Sequence, residues 1–171
     1  LEFFNQIGVL EEMCMQNNFS LIDVEMKSLT YLGTRSFDNC QNLKTVTLPS
    51  IQYIGQAAFK NCTSLISLEL SDCINEIDSQ AFYGCDNLKY LLANGEMHIY
   101  SDAFAGSSIN RLDTNGVGLA DSLPVVENSI IAMPSTFYKC TENTKGRNYT
   151  IYCTIKTFAE QWAKENGHTF I

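Results

Sequence analysis

No stretch of this chain stays apolar for the ~20 residues that a membrane-spanning helix needs. Its start lacks the basic, apolar and small-residue sections of a signal peptide, and it begins at Leu1 without a methionine. That points to a mature form or an excised piece of a longer chain. Charge is also sparse, at 18% of residues, below the quarter or so of an average domain. With 45% apolar residues, the composition is that of a packed domain and not of a disordered chain. Basic residues are outnumbered 11 to 19, giving a net charge of −8. Such a surface repels the phosphate backbone of nucleic acids and disfavours anionic lipid head groups. Protein and sugar partners remain open.

The motifs of common catalytic sites are missing as well. There is no phosphate-binding loop, dinucleotide fingerprint or zinc-protease helix. Gly116-Val117-Gly118 lacks a third glycine at the required offset and reads as loop. The seven cysteines (14, 40, 62, 73, 85, 140 and 153) never take the C-x-x-C spacing of a zinc or redox site. Nothing in the spacing brings His98 or His168 to a cysteine, so no nucleophilic pair is indicated. Asn18, Asn61 and Asn148 begin N-x-[ST] triplets, which chance supplies in an asparagine-rich chain and which matter only in a glycosylating host. A non-enzymatic chain is expected, with no cofactor and no metal.

What the sequence does have is a period. Phe37, Phe59, Phe82 and Phe104 are spaced by 22, 23 and 22 residues. Three residues after them stand Cys40, Cys62, Cys85 and Ser107, and five residues before them Leu32, Ile54, Ile77 and Ile99. Each unit continues in one pattern: Leu43, Val46, Leu48; Leu65, Leu68, Leu70; Leu88, Leu91, Ala93; and, one residue early, Ile109, Leu112, Thr114. Upstream, Leu21, Val24 and Met26 keep the register, with Leu10 in the isoleucine column and Met15 in the phenylalanine column. The L-x-x-L-x-L piece ends in alternation and predicts a short strand with one face inward. Leu32-Gly33 and Ile54-Gly55 suit the turn that must follow. One coil cannot bury these side chains alone; stacked coils can, each covering its neighbour at ~4.8 Å.

Blocks such as Ile51-Gln52-Tyr53-Ile54-Gly55-Gln56-Ala57-Ala58-Phe59-Lys60-Asn61-Cys62-Thr63-Ser64-Leu65 resemble the BspA-type leucine-rich repeat, as do Leu32-Gly33 with Ser36-Phe37-Asp38-Asn39-Cys40 and Gln80-Ala81-Phe82-Tyr83-Gly84-Cys85. The resemblance covers residues 10 to about 114, and Thr150 to Ile171 resembles the closing segment of such proteins. The expected fold is a leucine-rich-repeat solenoid, a right-handed superhelix of mostly short parallel β-strands with a C-terminal capping helix. One domain spans 1–171: an N-terminal cap or degenerate coil (1–20), regular repeats (21–116), an irregular segment (117–149) and a C-terminal cap (150–171). Phe137 and Cys140 keep the Phe-x-x-Cys pair within the irregular part. The resemblance further implies a cell-surface or secreted protein of bacteria or some protists that binds proteins or cells, with host-derived ligands among its partners.

Stacked coils expose an apolar cross-section at each end, so caps are expected. Thr157-Phe158-Ala159-Glu160 has the form of a capping box, with Thr157 as N-cap and Glu160 reaching back. Phe158, Ala159, Trp162 and Ala163 then share one helix face, Gly167 is the expected stop, and Phe170-Ile171 return as a short strand. Trp162 reads as packing. At the other end Phe3, Ile7, Leu10 and Cys14 could share a helix face leading into a degenerate first coil.

Cys40, Cys62 and Cys85 should stack with parallel Cα–Cβ vectors ~4.8 Å apart, beyond the ~3.8 Å of a disulfide, and read as small buried apolar groups. The outward strand positions form two columns: Asp23, Thr45, Ser67, Tyr90, Arg111 and Glu25, Thr47, Glu69, Leu92, Asp113. Most of this is an ordinary polar face. Tyr90 and Leu92 are the exceptions, with Arg111 beside them; tyrosine and arginine are typical binding anchors. Tyr90, Leu92, Arg111, Glu69 and Asp113 are therefore the candidate ligand-binding residues, unless the segment after residue 114 folds over them. Two functional classes follow: an extracellular module binding a protein or glycan through the sheet face, or an intracellular interaction scaffold, which seven unpaired cysteines would suit.

Overall fold

Alternation along the chain decides which side chains go inside. In Thr45–Leu48 and Ser67–Leu70 the residues Val46, Leu48, Leu68 and Leu70 are buried while Thr45, Thr47, Ser67 and Glu69 face out. The computed structural model describes residues 6–93, 97–100, 102–114, 130–132, 150–152 and 158–171. Within them the chain winds as a solenoid with a parallel sheet on each of two sides. In chain order the elements are β1 (Val9–Leu10), β2 (Asp23–Glu25), β3 (Tyr31–Leu32), β4 (Thr45–Leu48), β5 (Tyr53–Ile54), β6 (Ser67–Leu70), β7 (Glu76–Ile77), β8 (Tyr90–Ala93), β9 (His98–Ile99), β10 (Arg111–Thr114), β11 (Ile130–Ala132), β12 (Thr150–Tyr152), α1 (Phe158–Asn166) and β13 (Thr169–Phe170). The wide sheet runs β2-β4-β6-β8-β10-β11-β12-β13, and the narrow one β1-β3-β5-β7-β9.

Between the sheets lies the core. Phe37, Phe59, Phe82 and Phe104 form a row of stacked rings with centroids 5.2, 5.2 and 4.9 Å apart. Leu32, Ile54, Ile77 and Ile99 are buried in the narrow sheet, and Leu43, Leu65, Leu88 and Ile109 precede the wide one. These three columns anticipated from the period are therefore physical columns.

The turn expected at Leu32-Gly33 and Ile54-Gly55 starts at the glycines, whose carbonyls accept from Ser36 N and Ala58 N at 3.4 and 3.1 Å, and the narrow sheet lies just before it. Leu32 and Ile54 are strand residues, paired in register with Leu10 and Ile77. Neither glycine has positive φ. A Cβ on Gly33 would meet the backbone of Glu11 and Glu12 at 2.8 Å. The glycines open the turns and also allow close approach between coils. The chain then bends through two left-handed residues per coil: Met13 and Asn17, Arg35 and Asn39, Ala57 and Asn61, Gln80 and Gly84. Asparagine and glycine tolerate that conformation best, and the Asn39 amide also donates to Asn17 Oδ1 at 2.7 Å, tying one coil to the next.

The expected N-terminal helix face is corrected. Val9–Leu10 is a strand in register with Tyr31 and Leu32, and left-handed turns follow at Met13 and Asn17. Ladder bonds such as Gly33 N to Leu10 O (2.8 Å) outweigh the local helical spacing of Ile7, Leu10 and Cys14. Phe3 lies outside the described residues. Within the stretch expected to be irregular, Ile130–Ala132 is a rung of the wide sheet, parallel to both neighbours; Phe137, Cys140 and Gly116–Gly118 lie outside the described residues.

At the C-terminus α1 begins at Phe158, next to Thr157, which lies outside the described residues. Trp162 and Ala163 are buried, as packing requires. Gly167 ends the helix at φ +75°, with Gly167 N donating to Lys164 O and His168 N to Ala163 O, the two bonds of a Schellman motif. The closing strand is Thr169–Phe170, one residue earlier than expected. Its partner β12 pairs Thr150 with Thr169 and Ile151 with Phe170, so register sets the frame.

Candidate functional site

The wide sheet presents the two expected columns. Asp23 pairs with Thr45, Ser67 with Tyr90, and Tyr90 with Arg111; Glu25, Thr47, Glu69, Leu92 and Asp113 form the second series. The Arg111 guanidinium carbon stands 5.9 Å from the centre of the Tyr90 ring, at the outer reach of a cation–π contact. Tyr90 and Leu92 are half-buried, while Arg111 and Glu69 are exposed. In the ladder Leu92 lies between Glu69 and Asp113. Register thus brings all five candidate residues to one part of one face.

The structure adds a feature the sequence did not indicate. A shallow concavity of about 540 Å³ covers the neighbouring part of this face, lined by Thr45, Thr47, Glu69, Asp72, Cys73 and Leu92 among others. Its rim comes from the loop after β6. Leu48 and Ile51 are three residues apart, whereas Leu70 and Ile74 are four apart, so the extra residue of the 23-residue unit falls here. The signal was present as a spacing, but not the shape it makes. Glu69 and Leu92 belong to both the concavity and the candidate cluster. Along the edge of the same sheet a smaller hollow is lined by Lys44, Ser64, Ile66, Asn87 and Lys89.

The buried cysteines and both histidines lie away from this cluster. Cys40, Cys62 and Cys85 are buried and unpaired in one column, as expected. They are more than apolar filler, because their thiols donate to the carbonyls of Met15, Phe37 and Phe59 at 3.1, 3.2 and 3.2 Å. Burial raises all three thiol pKa values, that of Cys85 to about 12. Only the thiolate reacts appreciably, so Cys62 and Cys85 should resist a thiol reagent at pH 8 in the folded protein. Exposed Cys14 and Cys73 should be labelled within minutes; equal labelling rates would contradict the burial. Cys140 and Cys153 lie outside the described residues. His98 sits on the narrow sheet, edge-on to Tyr100 at 4.8 Å, and His168 is buried beside Trp162 at 5.1 Å. Among the described residues no three of His, Cys, Asp and Glu are grouped to hold a metal ion, and no helix is long and apolar enough to cross a membrane.

A family model described as a BspA type leucine rich repeat region matches six copies over residues 8–118. The chain belongs to that family. The BspA-type match begins at Gly8, just before β1, in keeping with a first coil that already follows the repeat. A solved structure of a leucine rich cell surface protein from Faecalibacterium prausnitzii is similar, with a TM-score of 0.62 and 26% identity. The likeness covers 66% of this BspA-type chain and 31% of the other, so this chain corresponds to about a third of that protein. No curated protein matches the chain.

Proposed function

We propose that this BspA-type domain is a non-catalytic binding or adhesion module of a cell-surface or secreted protein, holding a protein or glycan against the outer face of its wide sheet. The observation that carries the reading is the Tyr90–Arg111 contact at 5.9 Å, with Leu92 in the adjoining column. An aromatic ring, an arginine and an aliphatic side chain on neighbouring rungs match the composition of interface hot spots, where a few anchors supply most of the affinity. Glu69 and Asp113 would flank a bound partner and help set its orientation. The similarity to a leucine rich cell surface protein supports the surface location.

The test is a Tyr90→Ala, Leu92→Ala, Arg111→Ala variant, screened with the parent against immobilised extracellular-matrix proteins and glycans. Hot-spot losses of about 2 kcal/mol or more predict at least a ~30-fold loss of affinity. A folded variant that binds like the parent would remove the site from this face. A second reading, an intracellular scaffold, is favoured by the exposed thiols of Cys14 and Cys73, which suit a reducing compartment. Labelling intact source cells with a membrane-impermeant thiol reagent separates the two. Modified Cys73 supports the surface location, and protection of both thiols until lysis supports the scaffold.

A further inference from the structure

The narrow sheet also presents an outward column, and its chemistry differs from that of the wide one. Tyr31, Tyr53, Glu76 and His98 follow each other in register, and Tyr100 lies just beyond β9. Tyr31 and Tyr53 are stacked at 4.9 Å with their planes 11° apart. The Tyr53 hydroxyl donates to Asp78 Oδ2 at 2.8 Å, which fixes the ring. Tyr31 is 42% exposed and Tyr100 40%. Glu11, also exposed, marks the first-coil end of the strip. Positions 8–11, 30–33, 52–55, 75–78 and 97–100 contain three acidic residues and no lysine or arginine; Arg35 borders the strip at the following turn.

We propose that this face is a second docking surface, for an arginine- or lysine-bearing peptide segment of a partner protein. The aliphatic stem of a basic residue can lie across the tyrosine edges while its charged head meets a carboxylate. Saccharide stacking needs an open ring face, and the Tyr31–Tyr53 stack closes one face of each ring. Glu11 and Glu76 are three coil steps apart, roughly 14 Å along the solenoid axis at the parallel-strand spacing, with Glu11 two positions further along the strand direction. An extended peptide covers that distance in about four residues. A partner with basic residues at i and i+4, lying obliquely across the coils, would meet both.

The test uses a fluorescent decapeptide alternating arginine and glycine, with binding followed by anisotropy at 0.15 M salt. A Glu11→Gln, Glu76→Gln variant is compared with Glu25→Gln, Asp86→Asn, which changes net charge equally on other surfaces. A Tyr31→Ala, Tyr100→Ala variant tests the aromatic part. Parent-like circular dichroism is required of all three. The expected result is at least tenfold weaker binding for the first and third variants and less than twofold change for the second. Equal weakening by the two charge-neutralised variants would reduce the effect to net charge and overturn the proposal. So would failure of the parent to bind the peptide. Tyrosine-dependent binding of maltohexaose, with peptide binding insensitive to the tyrosines, would overturn it in favour of a sugar site.

Discussion

Replacing Phe59 with alanine is expected to destabilise the domain by about 3–5 kcal/mol, the range for truncating a buried phenylalanine. Its ring is fully buried between Phe37 and Phe82, at 5.2 Å from each, with planes 1° and 12° from parallel. The coils above and below are held by backbone bonds such as Phe37 N to Ala58 O and Phe59 N to Ala81 O, so the walls cannot close on the gap. The substitution therefore forfeits contacts on both faces. Domains of ordinary stability have about 5–15 kcal/mol in total, so the variant would unfold at clearly lower urea concentration in a circular-dichroism titration. Phe59→Leu, which keeps most of the volume, should lose less. A loss below ~1 kcal/mol for the alanine variant, the level of a typical surface change, would mean that the ring row does not sustain the core.

Gly55→Ala should produce the next largest effect, about 1–3 kcal/mol by overpacking. A Cβ there would lie 2.7 Å from Leu32 O and 3.0 Å from both Gly33 C and Thr34 N. All three are backbone atoms, so no side chain can swing aside. Gly55 N also donates to Leu32 O at 2.8 Å, and the added methyl would force that same bond apart. Gly8→Ala is the control. Its nearest neighbour would be Ser28 O at 3.9 Å, an ordinary contact, and its φ is not left-handed. It should stay within about 0.5 kcal/mol of the parent. Thermal melts of the two variants decide whether close approach, and not backbone freedom, is what Gly55 supplies.

The phenylalanine, cysteine and leucine columns were legible because a side chain that recurs every 22 or 23 residues has to meet its own kind in the next coil. The outward columns of the wide sheet followed from the same register, which is why Tyr90 and Arg111 could be paired before any coordinates. The narrow sheet was not legible. Its strands are two residues long, too short for alternation to show, and the Leu-Gly and Ile-Gly pairs signal the turn that follows and not the strand before it. Within the turns, Asn17, Asn39, Asn61 and Gly84 carry the expected residue types, but Met13, Arg35, Ala57 and Gln80 adopt left-handed backbone with no local signature. There the ladder bonds to the next coil override intrinsic preference. The concavity beside Leu92 stayed hidden because the one-residue lengthening after β6 says where the chain bulges but not which face it walls. The Tyr31–Tyr53 pair went unnoticed because its sheet was not anticipated.

The parallel rungs have a mechanical corollary. Each coil is bonded to the coils directly before and after it, so tension applied between the chain termini loads one seam at a time instead of shearing all rungs together. Release of a single 22-residue unit would pay out roughly 70 Å of extended chain while the remaining coils keep their shape. Under load, such a solenoid would lengthen in steps and dissipate work at every step.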